Sequence, residues 1–453
     1  MKTRKILYGL FIIILLALLG GGISLNSLMP IITGYAAKNL GSGIFVSGRD
    51  QKELESTDLN FSFIKYVKNN VDFKDSTVTS RFLWGKSEAV YRNGFGVTLL
   101  RHIDEKSLLK VRFPLYAEAR YNQDNMPWPM GNIIPDTVTG IDKKALAAVS
   151  ERLIKDNAYN GDAFAFVVLY KGIPVAEAYK PQFSSKTRFI SWSMAKSFTN
   201  ALVGILVREG RMDINRPADI EEWKNDDRSK ITLNNLMQMQ SGLKWNEDYG
   251  TRSDVTVMLH CEKDMSRYTY DKPLEYPAGT HWYYSSGTTN IVNYLIRRTF
   301  DSDTAYYAFT RRELFNKAGM PDVVFETDPA GTFVGSSYLY ATARDYARFG
   351  LLYLNDGVFN GTRILPEGWV AYSRAEASDS KGRYGAFFWL NKSHAFPSAP
   401  EDMFMCEGHD GQMIFIIPSR QLVVVVLGYS PSDKGGMHFD MLLKDILDTL
   451  PEK

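Results

Sequence analysis

A serine and a lysine three residues apart, Ser193 and Lys196, are the residue types best placed to do chemistry together. They lie in RFISWSMAKSFTNALVGILVREG, Arg188 to Gly210, which predicts a strand end followed by an amphipathic helix. Residues three apart share one helix face, and unpaired N–H groups with the helix dipole favour a developing oxyanion there. A lysine whose pKa is lowered from about 10.4 by burial can take the serine proton. The pair therefore predicts a Ser-x-x-Lys nucleophile.

The spacing alone is not specific, because it recurs at Ser62/Lys65, Ser107/Lys110 and Ser378/Lys381. None of these three pairs opens a comparable apolar helix. An ordinary helix N-terminus is the alternative interpretation of Ser193, and the rest of the sequence must exclude it.

The stretch PAGTHWYYSSGTTN offers a proton relay, because Tyr284 ends a predicted turn and Ser286 begins a predicted helix. A tyrosine whose pKa is lowered beside a lysine ammonium can pass a proton to a leaving group. The alternative is that Tyr284 is a core aromatic residue.

The stretch GHDGQ, which enters the predicted strand MIFIIP, offers an oxyanion hole. A glycine at a strand mouth, here Gly411, lets another backbone approach closely. The next N–H, that of Gln412, could then complete an oxyanion hole with the N–H of Ser193. We expect His409 to point into the same cleft, although a hydrogen-bonded turn histidine is the commoner role.

Taken in order, these motifs resemble the serine β-lactamase and penicillin-binding-protein superfamily. The class C β-lactamase branch, with its carboxylesterases and 6-aminohexanoate-dimer hydrolases, is the most similar. The resemblance extends over about residues 137–450 and includes ITLNNLMQMQSGL. It implies Ser193 as the acylated nucleophile, Lys196 as its base and Tyr284 as the proton relay.

Two departures from the family pattern bear on substrate. Ser286 stands where members commonly have asparagine, and His409 and Gly411 take the places of the lysine and glycine of Lys-Thr-Gly. Because both departures touch the substrate amide and carboxylate in β-lactam-hydrolysing relatives, the resemblance favours an esterase or amidase over a β-lactamase.

The first 37 residues predict a signal peptide or membrane anchor. No charged residue occurs from Ile6 to Ala37, and Lys2, Arg4 and Lys5 precede this run. The basic residues should keep the N-terminus cytoplasmic, so we expect an exported domain, periplasmic or membrane-anchored outside the cytoplasm. Small residues at 34, 36 and 37 would allow cleavage. A buried core helix is the alternative.

Beyond residue 37 the pattern predicts an accessory region, residues 38–136, and a hydrolase domain, residues 137–453. Two hairpins, AFAFVVLYKGIPVAEAY and MIFIIPSRQLVVVVLG, flank a long helical stretch. The order predicts an α+β fold in which an antiparallel sheet is sandwiched between helices, with a helical lobe inserted.

The composition excludes several function classes. Lys plus Arg (53) nearly balances Asp plus Glu (51), which gives no sign of nucleic-acid binding. Cys261 and Cys406 lie outside any CxxC and are interpreted as buried thiols. Neither a G-x-S-x-G elbow nor an H-E-x-x-H motif is present, and the predicted chemistry needs no cofactor or metal.

The sequence therefore predicts a serine hydrolase that acts on small esters or linear amides through an acyl-Ser193 intermediate. Two alternatives stay open: a β-lactamase or D-Ala-D-Ala peptidase, and a non-catalytic extracytoplasmic binding protein of the same fold. The sequence gives no prediction of the oligomeric state.

Overall fold

The computed structural model describes residues 2–114, 119 and 121–451, and the side chains of residues 20–114, 119 and 121–451. A long helix and a small antiparallel sheet open the chain. The helix α1 spans Lys2–Phe45. The sheet has four strands in the order β1-β2-β3-β4: Lys68–Asp72, Thr77–Phe82, Gly85–Arg92 and Gly96–Leu99. Two short helices accompany it: α2, Gln51–Ser56, and α3, Glu105–Leu108.

The predicted boundary between residues 37 and 38 falls inside α1, which continues across it without a break. Ala36, Ala37 and Leu40 are fully buried against the four-stranded sheet. Next to them, the Lys38 ammonium forms a buried ion pair with Glu326, far along the chain. The C-terminal half of α1 is therefore packed into the body of the protein.

A six-stranded antiparallel sheet forms the centre, in the order β12-β13-β14-β15-β5-β6. Its strands are β5 Asp162–Tyr170, β6 Ile173–Tyr179, β12 Trp389–Leu390, β13 Phe404–Gly408, β14 Gln412–Ile417 and β15 Leu422–Tyr429. Because β15 pairs with β5, both ends of the predicted hydrolase domain build one sheet, as the hairpins predicted.

Helices cover both faces of this sheet. Val423 and Val425 of β15 point into one core cluster, and Val424 and Val426 point into the other. This alternation explains the unbroken apolar run and confirms a strand that is covered on both faces. One face carries α4, Lys143–Ile154, and α13, Phe439–Leu447; the other carries α5, Ala195–Arg208, and α11, Ala343–Leu354.

The helical lobe lies between β6 and β12 in the chain. It contains α6 Leu233–Met237, α7 Asp254–Cys261, α8 Met265–Tyr270, α9 Ser286–Arg298, α10 Asp303–Phe309 and α12 Trp369–Ser373. A π-helical segment, Thr310–Phe315, continues α10. Two small sheets complete the fold: β7 Arg188–Ile190, β9 Leu339–Thr342 and β8 Val324–Phe325 in one, β10 Val358–Phe359 and β11 Thr362–Arg363 in the other.

The two cysteine thiols are free. Cys406 is buried on β13, as expected, whereas Cys261 at the end of α7 is only half-buried.

Across the side chains that the structure describes, no helix combines the length and the apolar character needed to cross a membrane.

Candidate active site

Ser193 lies on a single 3₁₀ turn, Trp192–Met194, between β7 and α5. The turn starts from Trp192 in a left-handed conformation with φ of 44°, which is costly for a bulky side chain and is typical of functional sites. Ser193 is partly exposed, whereas the preceding and following residues are buried. The turn therefore presents the hydroxyl at the surface of a rigid core.

Lys196 is buried one turn further on, at the start of α5, and its amine donates to three oxygen atoms. Its Nζ lies 2.9 Å from the Ser193 Oγ, 3.0 Å from the Ser286 Oγ and 3.0 Å from the carbonyl oxygen of Ser336. Burial lowers the pKa of Lys196 to about 8, and the Glu247 carboxylate opposes this shift. A lysine with this pKa can be neutral near physiological pH and accept the serine proton.

The Tyr284 ring lies next to the Lys196 amine. The Lys196 Nζ lies 4.8 Å from the centre of that ring. Trp389 stacks on the same ring at 5.3 Å, and Tyr384 meets it edge-on at 5.8 Å. Burial raises the pKa of Tyr284 well above its usual value, although an interaction with Ser193 works in the opposite direction. The expected lowering of this pKa is therefore wrong, and the tyrosine is a neutral hydroxyl that can donate a proton.

Ser286 begins α9, as predicted, but its hydroxyl points inward. It donates to Glu247 and also lies against the Lys196 amine. The N–H of Ser286 donates to the Glu247 Oε2 at 2.9 Å. The hydroxyl and the N–H of Ser286 are thus both hydrogen-bonded inside the protein.

Glu247 is a site residue that the sequence interpretation missed. Its carboxylate accepts from Ser286 and from the Trp245 indole N–H, and burial raises its pKa while Lys196 opposes the rise. The sequence pattern that could have identified it is Trp245, Glu247 and Tyr249. These are an acidic residue and two aromatic ones at every second position, shortly after ITLNNLMQMQSGL. Alternation of this kind turns all three side chains to one side of an extended segment.

His409 reaches the site, in the turn that follows β13. Its ring stacks on Tyr249 at 4.9 Å and meets Trp192 edge-on at 5.6 Å. Its Nε2 lies 3.3 Å from Asp410 Oδ1. The imidazole therefore borders the nucleophile turn, as the sequence predicted.

Gly408, not Gly411, is the glycine that permits close approach to the nucleophile turn. A Cβ on Gly408 would lie 2.2 Å from the carbonyl oxygen of Ser191, two residues before Ser193. Gly411 packs instead against Ser430, the residue that follows β15. The sequence interpretation placed the strand mouth at β14, whereas the strand that meets the nucleophile is β13.

The structure does not bring Gln412 to the predicted oxyanion position. The Gln412 carboxamide donates to the Gly428 carbonyl at 2.7 Å and accepts from the Gly428 N–H at 3.1 Å. Its backbone is paired opposite Gly408 in the β13–β14 ladder.

The backbone alternation of β13 gives a different amide for this role. The Met403 carbonyl accepts from Asn391 beside β12, so odd-numbered residues of β13 turn their N–H groups to that edge. Gly408 is extended, with φ of −121° and ψ of 155°, and the N–H of His409 continues the pattern. Because β12 ends early, this edge is open beside Trp389, which stacks on Tyr284.

Comparisons with known proteins identify the family of this chain. The family model described as Beta-lactamase matches residues 151–438. A 6-aminohexanoate-dimer hydrolase of Paenarthrobacter ureafaciens is 25% identical over 307 residues, which is 62% of this chain and 76% of the relative.

Solved structures share the fold. A putative 6-aminohexanoate-dimer hydrolase from Bacillus anthracis aligns with a TM-score of 0.55 and 23% identity, covering 75% of this chain and 90% of that one. A penicillin-binding protein from Bacillus halodurans aligns with a TM-score of 0.51 and 17% identity, covering 67% and 99%. With a Ser-x-x-Lys pair at the start of a buried helix and a family match over more than half its length, the chain belongs to the beta-lactamase family of serine hydrolases.

Proposed function

We propose that the protein hydrolyses small esters or linear amides through an acyl-Ser193 intermediate. The observation that carries this proposal is the Lys196 amine, 2.9 Å from a partly exposed serine hydroxyl and with a pKa lowered by burial to about 8. The similarity to 6-aminohexanoate-dimer hydrolases supports a linear amide as one substrate class.

In the proposed mechanism neutral Lys196 takes the Ser193 proton as the serine oxygen attacks the substrate carbonyl carbon. The N–H groups of Ser193 and His409 would hold the resulting oxyanion. The protonated lysine returns its proton, through the neutral Tyr284 hydroxyl, to the departing alkoxide or amine. Water then attacks the acyl-Ser193 ester by the reverse route, with Lys196 again as base.

The substrate preference rests on what Ser286 and His409 offer. The Ser286 hydroxyl is engaged by Glu247 and Lys196, so it cannot hold a substrate amide as the family's asparagine does. The His409 ring stacks on Tyr249, and an imidazole stands here in place of the lysine that meets the carboxylate in β-lactam-hydrolysing relatives. Both features favour a flexible ester or linear amide over a penicillin.

We also propose that the protein is exported and anchored by its N-terminal segment. The uncharged run behind three basic residues supports this location. Fractionation of cells that produce the full chain tests it, and recovery of the protein in the cytoplasm would refute it.

Labelling with active-site probes tests the chemistry. A fluorescent fluorophosphonate and a fluorescent penicillin are applied in parallel to the protein, to Ser193→Ala, and to Ser107→Ala as a matched Ser-x-x-Lys control. We expect fluorophosphonate labelling that is lost only in Ser193→Ala, with little labelling by penicillin. Strong labelling by both probes would favour a penicillin-recognising enzyme, and labelling by neither would favour the non-catalytic alternative.

A further inference from the structure

Four exposed apolar side chains surround the place where α1 leaves the body of the protein. They belong to Ile23, Phe63, Leu83 and Trp84, and their exposed fractions are 72%, 48%, 63% and 58%. We call these four residues the apolar collar. Isolated apolar residues on a surface need no explanation, whereas a group of large ones at one place marks an interaction site.

Contacts tie the collar to α1. Residues 20–22 of the helix have no neighbour within 4 Å of a Cβ position, so the helix projects freely there. The Trp84 indole N–H donates to the Asn26 Oδ1 at 2.8 Å, and Gly85 packs directly on Met29. Phe63 lies beside Phe82 at a ring distance of 6.1 Å, which extends the apolar surface.

The turn that carries Leu83 and Trp84 lacks the residues that two-residue hairpin loops usually contain. Phe82 pairs with Gly85, so Leu83 and Trp84 alone form the loop between β2 and β3. Such two-residue loops favour Asn-Gly because they require positive φ, and Leu83 has a φ of 49°. Two large apolar residues at this tip cost stability and solubility together, which points to a role outside the fold.

Basic side chains occupy the same end of the sheet. Lys68 pairs across the strands with Arg81, and Arg81 with Lys86. Lys65 precedes this end of β1. Two acidic groups lie near these cations: Glu88 contacts Lys86 at 2.5 Å, and Glu55 accepts from the side chain of Asn69, next to Lys68. These two carboxylates offset only part of the charge of Lys65, Lys68, Arg81 and Lys86.

We propose that the apolar collar rests on an anionic lipid bilayer that the N-terminal part of α1 enters. The inference builds on the proposed anchor and is independent of the catalytic activity. Residues 6–25 are uncharged, and about 20 residues at 1.5 Å each span roughly 30 Å, the thickness of a hydrocarbon core. Trp84 would then lie at the lipid–water interface, with its ring in the headgroup layer and Asn26 fixing its orientation.

A polarity probe tests the position of the bilayer surface. The full chain carrying Cys261→Ser is reconstituted into vesicles of 70% phosphatidylcholine and 30% phosphatidylglycerol. Single NBD labels are attached through Leu15→Cys, Leu83→Cys or Phe73→Cys. Phe73 is the matched control, because it is 68% exposed but lies at the β1–β2 turn, the opposite end of the same sheet.

We expect the probes at positions 15 and 83 to be blue-shifted and quenched by spin-labelled lipid, and the probe at 73 to stay water-like. If the probe at 15 lies in lipid but the probe at 83 behaves like the one at 73, the anchor holds and the collar proposal is wrong. If all three stay water-like, both are wrong. An unchanged Tm in thermal unfolding shows that each labelled protein is folded.

Charge reversal tests the lipid class. We expect Lys68→Glu and Arg81→Glu each to weaken docking of the collar on the anionic vesicles roughly fivefold or more, measured as spin-label quenching of the probe at position 83, and to leave that quenching unchanged in pure phosphatidylcholine vesicles. Equal effects on both vesicles would contradict electrostatic docking. A detergent-solubilised dimer that dissociates in Leu83→Ser/Trp84→Ser would show instead that a second copy of the chain covers the collar.

Discussion

Lys196 is a buried amine between a serine hydroxyl and a carboxylate, and these neighbours set the pH at which it can act. Desolvation favours its neutral form, which is the form that accepts a proton. The carboxylate of Glu247 favours the charged form, directly and through Ser286. The balance between the two determines how much free base is present at neutral pH.

The activity should therefore rise with pH. Lys196 must be deprotonated to act, and its pKa is about 8, so kcat/KM should increase through pH 7 and level off above about 8 to 9. Lys196→Arg should lose activity by roughly a thousandfold or more, because a guanidinium does not deprotonate. Pre-steady-state acylation measured from pH 5.5 to 10 checks both expectations. An arginine variant with near-normal acylation would require another base.

Removal of the Glu247 charge should move this profile to lower pH. The carboxylate favours the ammonium form of Lys196, so Glu247→Gln should lower the lysine pKa and make the base available earlier. The same pH series measures the shift, with the exposed neighbour Asp248→Asn as the matched control. An unchanged profile, or a shift to higher pH, would show that the carboxylate does not act on the lysine.

At the level of elements, the strand–turn–helix around Ser193 was predictable because its signals are local. Apolar spacing gave α5, and the two hairpins gave the central sheet. The glycine that lies against the nucleophile turn was not predictable, since the end of β13 at Gly408 depends on pairing with a strand later in the chain.

The predicted direction of the Tyr284 pKa shift was wrong for a related reason. The sequence suggested a neighbouring lysine but not the Trp389 and Tyr384 rings that bury the phenol.

The close contact between β13 and the nucleophile turn gives a prediction at this scale. Gly408→Ala would place a methyl group against the Ser191 carbonyl and push the turn away, so kcat/KM should fall on the order of 10- to 100-fold. The φ of Gly408 is ordinary for any residue, so the effect is steric and not conformational. Steady-state kinetics beside the exposed control Gly250→Ala measures it. Equal activity of the two variants would mean that the contact does not position Ser193.

For the whole molecule, α1 connects the N-terminal region to the catalytic body. The uncharged run from Ile6 to Ala37 fits both a leader and a buried helix. The sequence alone could not show where the leader would end and the buried part begin. In the structure the part from Met29 onward is core, and Lys38 pairs with Glu326 beneath the surface. Cleavage near residue 37 would remove much of this packing.

Lys38→Met should therefore destabilise the protein. It leaves the Glu326 carboxylate buried without its cation, a change that costs about 3 to 5 kcal/mol in comparable sites. Thermal unfolding of the full chain should show a Tm lower by several degrees. Lys86→Met, which removes one partner of a largely exposed pair, is the control and should change the Tm little. Similar Tm values for the two variants would mean that α1 is not held by this ion pair.

The comparison of kcat/KM for p-nitrophenyl butyrate, a 6-aminohexanoate dimer and nitrocefin tests the proposed function most directly. In the proposed account, Ser286 and His409 each lack a contact that β-lactam-hydrolysing relatives make. Each missing contact should weaken transition-state binding of a β-lactam by roughly 1.5 to 3 kcal/mol, on the order of 10- to 150-fold. We expect the ester or the linear amide to be the best substrate, nitrocefin to be the poorest, and all turnover to vanish in Ser193→Ala. Nitrocefin as the best of the three would contradict the proposal and assign the protein as a β-lactamase.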